Sequence, residues 1–185
     1  IMELMDAASL AAVHTVLDLP APTPGAAQLT IQTDGPASEA EADAIAEILR
    51  AHAGTVAVTH DPVEGERLLA IRRSMHQAMA SLGTALIEDV SVPRSAMPAM
   101  FDEIARIERQ YGLTIPTVAH AGDGNLHPNF LFAGAETPAH VWQAADDLFR
   151  AAIALGGTLP GEHGIGTLKR RWLAEELGED QWELQ

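Results

Sequence analysis

Two short segments hold residues whose types and spacing can do chemistry. The first reads His120-Ala121-Gly122-Asp123-Gly124-Asn125-Leu126-His127-Pro128. Apolar runs flank a Gly-Asp-Gly turn, which predicts a hairpin whose glycines allow positive φ and close backbone approach. Such a turn can bring both imidazoles to one end of the hairpin, facing one point in space. Neutral imidazole is a common ligand for zinc and other borderline divalent ions. The plainer alternative is a tight hairpin flanked by structural His. The second segment reads Gly156-Gly157-Thr158-Leu159-Pro160-Gly161-Glu162-His163-Gly164-Ile165-Gly166. An adjacent Glu-His pair between glycines is hard to justify by packing, and Gly-Gly and Pro-Gly suit a loop that passes close to something. Glu162 offers a carboxylate ligand and His163 a base near neutral pKa. The alternative is a helix start with Glu162 favourably placed on the dipole.

Taken together, His120, His127 and Glu162 form the three-ligand set of an open catalytic zinc site, with the fourth position free for water or substrate. By ligand type, zinc, iron and manganese all suit it. The spacing differs from H-E-x-x-H, so the helical metalloprotease arrangement is absent. A metal-dependent hydrolase, with His163 as base on a bound water, is one function class this set allows. A non-catalytic module whose His residues merely pack is another.

The elements that must position these residues follow from periodicity and punctuation. Leu4 to Val16 has helical spacing, and Pro20, Pro22 and Pro24 impose an extended connector. Gln28–Thr33 alternates as a strand, and Ser38 with Glu41 makes a capping box for a helix to His52. Thr55–His60 is expected as a strand, and Asp61-Pro62 opens a helix to Leu82. Leu86–Val92 is expected as a third strand containing Glu88-Asp89. A helix over Ser95–Tyr111 ends at Gly112. Thr114–His120 and Leu126–Ala133 form the hairpin, Pro138–Leu155 is a helix, and a last helix is expected near Gly164. Hairpin pairing favours an α+β fold with a mainly antiparallel sheet, helices packed on one face and ferredoxin-like halves.

The chain has 185 residues and no Cys, with 11 Lys+Arg against 26 Asp+Glu for a formal charge of −15. That length supports a real core, and nearly half the residues are apolar, as in a globular protein. The acidic balance excludes a nucleic-acid partner and disfavours an anionic membrane surface. No apolar run approaches the roughly 20 residues of a transmembrane segment. The absence of Cys removes disulfides, thiolate metal sites and Cys nucleophiles. Lys169 is the single Lys among many Arg and Ala, the usage of a GC-rich bacterial genome. The chain begins at Ile1 without a start pattern and stops within a charged stretch at Gln185, so both ends are expected to be cut.

The two motifs, in this order and separation, closely resemble the signature of the C-terminal domain of FAD-linked oxidases. That group includes glycolate oxidase, D-lactate dehydrogenase and D-2-hydroxyglutarate dehydrogenase, and the glycolate oxidase catalytic-subunit type is the nearest in pattern. The resemblance extends through Glu3-Leu4-Met5-Asp6, Asp34-Gly35, Ile71-Arg72 and Asp89-Val90-Ser91-Val92-Pro93. It implies that residues 1–185 are a substrate and metal cap domain, with FAD held mainly by another domain of the parent chain. It implies oxidation of a D-2-hydroxy acid by hydride transfer from C2 to flavin. By resemblance, His120, His127 and Glu162 bind a divalent metal, His163 is the proton acceptor, Arg72 holds the substrate carboxylate, and Asn125 lines the site. It implies partner subunits or an electron acceptor, and a cytoplasmic location peripheral to the inner membrane through such partners. Two positions depart from the hydroxyglutarate-type pattern. Ile87 stands where those members have a basic residue, and His76, read as a surface residue, where they have a small hydroxylated one. A monocarboxylate such as glycolate or D-lactate is therefore the expected substrate. No G-x-G-x-x-G or other flavin-binding stretch is present in the chain.

Overall fold

The computed structural model describes residues 1–52 and 54–184. Its frame is an antiparallel hairpin of β5 (Thr117–His120) and β6 (Asn125–Phe132), with Val118 opposite His127 and His120 opposite Asn125. The amides of Asp123 and Gly124 both donate to the His120 carbonyl at 3.0 Å, closing the turn. Gly124 has φ +83°, and a Cβ there would lie 2.1 Å from the Val92 carbonyl oxygen, so two separate constraints demand glycine.

Strand β1 (Met2–Met5) pairs with the free edge of β5, setting Glu3 opposite His120, and β2 (Gln28–Ile31) pairs with β1. Beyond β6 lie β3 (Thr84–Ile87) and β4 (Val90–Ser91), each paired with β6. The sheet order is β2-β1-β5-β6-β3, and every pairing is antiparallel.

Because side chains alternate along each strand, the sheet has two distinct faces. Ala119, Leu126 and Phe130 point to one, where they meet α5 (Met97–Tyr111) and α6 (Ala139–Ala154) in the larger core. On α5 the buried residues Met97, Met100, Ile104 and Ile107 recur at helical spacing. Trp172 of α7 (Arg170–Leu177) closes this core, with its ring 4.3 Å from Phe149 and its Nε1 donating to Asp146 Oδ1 at 2.6 Å. Met5 and Val118 point to the other face, beneath α1 (Ala7–Val16) and α4 (Met75–Leu82). The outlying helices are α2 (Ser38–Arg50), α3 (Pro62–Arg73) and the terminal α8 (Glu179–Glu183). None of the helices among the described residues is long and apolar enough to cross a membrane.

The α+β class and the antiparallel sheet agree with expectation, whereas helices on one face is an incomplete description because α1 and α4 cover part of the second. Several boundaries differ for local reasons. The helix expected from Leu4 begins at Ala7, because Met2–Met5 finds a strand partner in β5 and Asp6 caps the helix. Asp6 Oδ1 accepts from the Ser9 amide and Oδ2 from the Thr117 amide, both at 2.8 Å. Ser38 is the first residue of α2 rather than its cap, so the Ser38–Glu41 box does not form. Thr55–His60 forms no strand, since it lies largely exposed with no strand edge beside it. The helix from Pro62 breaks at Ser74, whose hydroxyl bonds back to the Ala70 carbonyl at 2.9 Å. The strand expected over Leu86–Val92 divides around Glu88-Asp89, and the helix expected near Gly164 starts at Arg170.

Substituting Gly124→Ala should lower stability by roughly 2–3 kcal/mol, from a strained φ and an unavoidable approach to Val92. Urea unfolding of the two proteins measures this, and a difference below 1 kcal/mol contradicts the tight-turn account.

Candidate metal and substrate site

The hairpin register places the ligands. Val118 faces His127 across the pairing and stands two residues before His120, so both imidazoles share the face under α4. Their ring centroids are 5.2 Å apart, edge to face. The third group arrives on the loop after α6. Ser91 and Thr158 exchange backbone hydrogen bonds at 2.8 and 3.1 Å, steering that loop back over the hairpin. Gly161 then crosses so closely that a Cβ would lie 2.0 Å from Asp89 Oδ1 and 2.5 Å from Asn125 Oδ1. The next residue, Glu162, reaches both rings, with Oε1 3.4 Å from His120 Nε2 and Oε2 3.8 Å from His127 Nε2.

The ligand atoms of His120, His127 and Glu162 all lie within 4.8 Å of one another. Ligands about 2.1 Å from a tetrahedral ion stand about 3.4 Å apart, so this spacing requires little adjustment. The orientation is also suitable. His120 Nδ1 is 2.6 Å from Glu3 Oε1, and a carboxylate there makes Nδ1 the donor and leaves the Nε2 lone pair facing the cavity. Burial holds His127 below the ordinary imidazole pKa, with His120 and His163 adding repulsion while Asp89 and Glu162 oppose it. A neutral ring keeps its lone pair for a cation. Two imidazoles and one carboxylate so arranged fit a divalent ion.

Glu3 does more than hold His120. Its Oε2 accepts from Nε of Arg72 at 2.7 Å and lies 2.7 Å from Nη2, an ion pair that links α3, β1 and β5 through one carboxylate. Burial pushes the Glu3 pKa up, but hydrogen bonds from His120 and Arg72 outweigh it and leave it below the usual range. Arg73 points away and pairs with Glu66 at 2.6 Å. The spacing that suggested a helix from Leu4 hid the role of Glu3. The cue available was Met2–Met5 with polar Glu3 and apolar Leu4 on alternate sides, followed by the helix cap Asp6.

A second buried carboxylate secures the loop. Asp89 Oδ2 accepts from the amides of Gly161 at 3.0 Å and His163 at 2.8 Å, while Oδ1 lies 3.6 Å from His127 Nδ1. Lys169, itself buried, donates to the carbonyls of Asp89 and Leu159, joining the strand break to the loop from beneath. His163 stacks on His127 with centroids 5.2 Å apart and 28° between planes. Asn125 is buried under Gly161 rather than on the cavity wall, and among the described residues neither of its amide atoms has a hydrogen-bond partner. Glu88 is likewise buried without a partner, and its pKa is pushed up to about 7, chiefly by burial.

A cavity of about 440 Å³ opens from this cluster. Arg72, His76, His120, His127, Asn129 and His163 supply its polar wall, and His76 lines the groove while remaining solvent-exposed, as its reading as a surface residue expects. Among the described residues the lining carries no carboxylate. The cavity volume fits a small molecule.

Comparison with known proteins places the chain in a family. Residues 1–185 match the family described as FAD linked oxidases, C-terminal domain. The glycolate oxidase subunit GlcD of Bacillus subtilis is 35% identical over 184 residues, covering 95% of this chain and 39% of that protein. The GlcD subunit of Escherichia coli is 31% identical over 97% of this chain and 37% of its own length. A D-lactate dehydrogenase of Archaeoglobus fulgidus is 32% identical over 64% of this chain and 26% of its own. The chain spans less than two-fifths of the glycolate oxidase subunits it matches. It belongs to the FAD-linked oxidase C-terminal domain family.

Two outcomes follow from the buried carboxylates. Glu3→Gln should weaken zinc or manganese binding by about 10- to 100-fold through loss of His120 orientation, measured by calorimetric titration. An unchanged affinity would show that Glu3 does not act on the ligand. Glu88 has a folded pKa above its ordinary value of 4.5, so the folded state binds the extra proton between that value and about 7. Stability from this group therefore falls as pH rises through that window. Glu88→Gln should stabilise the protein at pH 8 by roughly 2–3 kcal/mol and change little below pH 4.5. Urea unfolding across pH tests the sign.

Proposed function

We propose that this chain forms the substrate- and metal-binding part of an FAD-dependent D-2-hydroxy-acid dehydrogenase or oxidase of the glycolate or D-lactate type. One observation carries the reading. Two imidazoles and Glu162 converge beside a cavity that bears Arg72 and, Glu162 at its edge aside, has no carboxylate on its wall, in a chain of net charge −15. A small anion is the ligand such a wall favours.

His120, His127 and Glu162 would hold a divalent ion, which supplies Lewis acidity that lowers the pKa of an α-hydroxyl. FAD, held mainly outside this chain, supplies the acceptor for the C2 hydride, a capacity that no side chain here has. The chain's own residues bind and deprotonate. Arg72 spends Nε and Nη2 on Glu3, and its remaining N–H groups stay available for a carboxylate contact. His163, stacked on His127 and exposed at the cavity edge, takes the hydroxyl proton at a ring nitrogen. Its backbone is pinned by Asp89, so the ring is presented at a defined place. Asn125 acts from below, through Gly161 and the loop carrying Glu162.

The parent enzyme would act on a small 2-hydroxy acid, passing electrons to an acceptor or to partner subunits. The name of the GlcD relatives as subunits supports an assembly of that kind. A cytoplasmic protein, peripheral to the inner membrane through partners, is consistent with this reading.

In dye-coupled assays the 185-residue chain by itself should not oxidise glycolate or D-lactate. In the flavin-containing parent protein, His163→Asn should lower kcat for both acids by roughly 10²- to 10⁴-fold while zinc affinity holds. Turnover by the isolated chain would overturn the division of labour. An unchanged kcat in the variant would remove His163 as proton acceptor.

A further inference from the structure

The cavity extends well past the ligands, and its composition changes along the way. From His127, the same face of β6 passes Asn129 opposite Ile87 and then Leu131 opposite Ala85. Each step of two residues advances about 7 Å along the strand. Over that distance the wall becomes Met75, Met79 and Ala80 of α4 facing Ala85 and Ile87 of β3. His120, His127 and His163 stand at one end, and along the α4–β3 wall Met75, Met79, Ala80, Ala85 and Ile87 outnumber the polar His76 and Asn129. Glycolate, with only a handful of heavy atoms, fills on the order of 100–150 Å³ at a water-like share of volume per atom. At about 440 Å³ the groove has room beside glycolate for a substituent on C2, with Ala80 and Ile87 on its solvent-exposed side.

We propose that the substrate of this site is a 2-hydroxy monocarboxylate with an aliphatic side chain of several carbons, lying between α4 and β3. The proposal rests on the 2-hydroxy-acid reading above and deepens it. With the remaining N–H groups of Arg72 given to the first carboxylate, a second one would meet Ile87 and the Met75–Met79 wall, where the lining carries no other Lys or Arg among the described residues. A methyl group, as in D-lactate, leaves the Met75–Met79 wall untouched. Methionine suits such a wall, because its flexible thioether adapts to chains of different length.

The test uses the zinc-loaded chain with methyl-labelled methionine, titrated with glycolate, D-lactate, D-2-hydroxybutyrate and D-2-hydroxyhexanoate. Met75 and Met79 report on the cavity, whereas Met97 and Met100 of α5 lie in the opposite core and serve as controls. The expected result is affinity rising about threefold to fourfold per added methylene, with methyl shifts confined to Met75 and Met79. Ala80→Phe, which fills the cavity from the exposed side of α4, should erase that dependence on chain length at an unchanged melting temperature. Equal affinity across the series, or tightest binding of glycolate, overturns the proposal and leaves the underlying reading intact. Zinc binding without a response to any of the acids overturns both.

Discussion

The register of the β5–β6 hairpin is the constraint on which the site depends. Placing Val118 opposite His127 puts the imidazoles of His120 and His127 on one face, and a slip of one residue would send His127 into the α5–α6 core. The register is held from both sides. Gly124 fits against Val92 with no room for a side chain, and β1 locks β5 through Glu3 opposite His120. The apolar residues alternating with the histidines, Ala119, Leu126 and Phe130, are what the larger core buries. Burying them and presenting the ligands are therefore one structural event.

Two carboxylates convert that register into a defined site, and they differ in kind. Glu3 is shared between a ring N–H and a guanidinium, so its charge is matched and its pKa lies low. Asp89 accepts two backbone amides, and its charge fixes the course of a glycine-rich loop with few other reasons to hold one shape. The strand break at Glu88-Asp89 makes this possible. A continuous strand would commit these residues to the β6 ladder, whereas the break frees Asp89 to meet the loop and Lys169 to reach the carbonyls beneath.

The chemistry was more legible in the sequence than the scaffold around it. His120, His127, Glu162 and the turn glycines are read from types and spacing, because few packing needs place such residues between glycines. The hairpin, α5 and α6 follow from periodicity that coincides with burial. Glu3 and Asp89 escape such a reading for a common reason. Each acts through a partner more than 70 residues away, and neither bears a local mark that separates it from a surface acid. Met2–Met5 was misread because four residues are compatible with either period until a neighbouring strand decides. The missing strand at Thr55–His60 is the converse case, since suitable residues there have no edge to join.

The same long-range pairing explains how an acidic protein presents a cavity suited to an anion. Of the carboxylates nearest the wall, Glu3 is taken up by His120 and Arg72, Asp89 is turned into backbone amides, and Glu162 is set against the two imidazoles. Neither Glu3 nor Asp89 is part of the cavity lining, and the fork of Arg72 reaches both Glu3 and the open space because its N–H groups diverge in one plane. A lysine at that position would have a single ammonium to divide between the two. Net charge therefore bears on the far field, where it disfavours anions. The local arrangement of paired carboxylates decides the near field, and the apolar wall beyond it decides what else the anion carries.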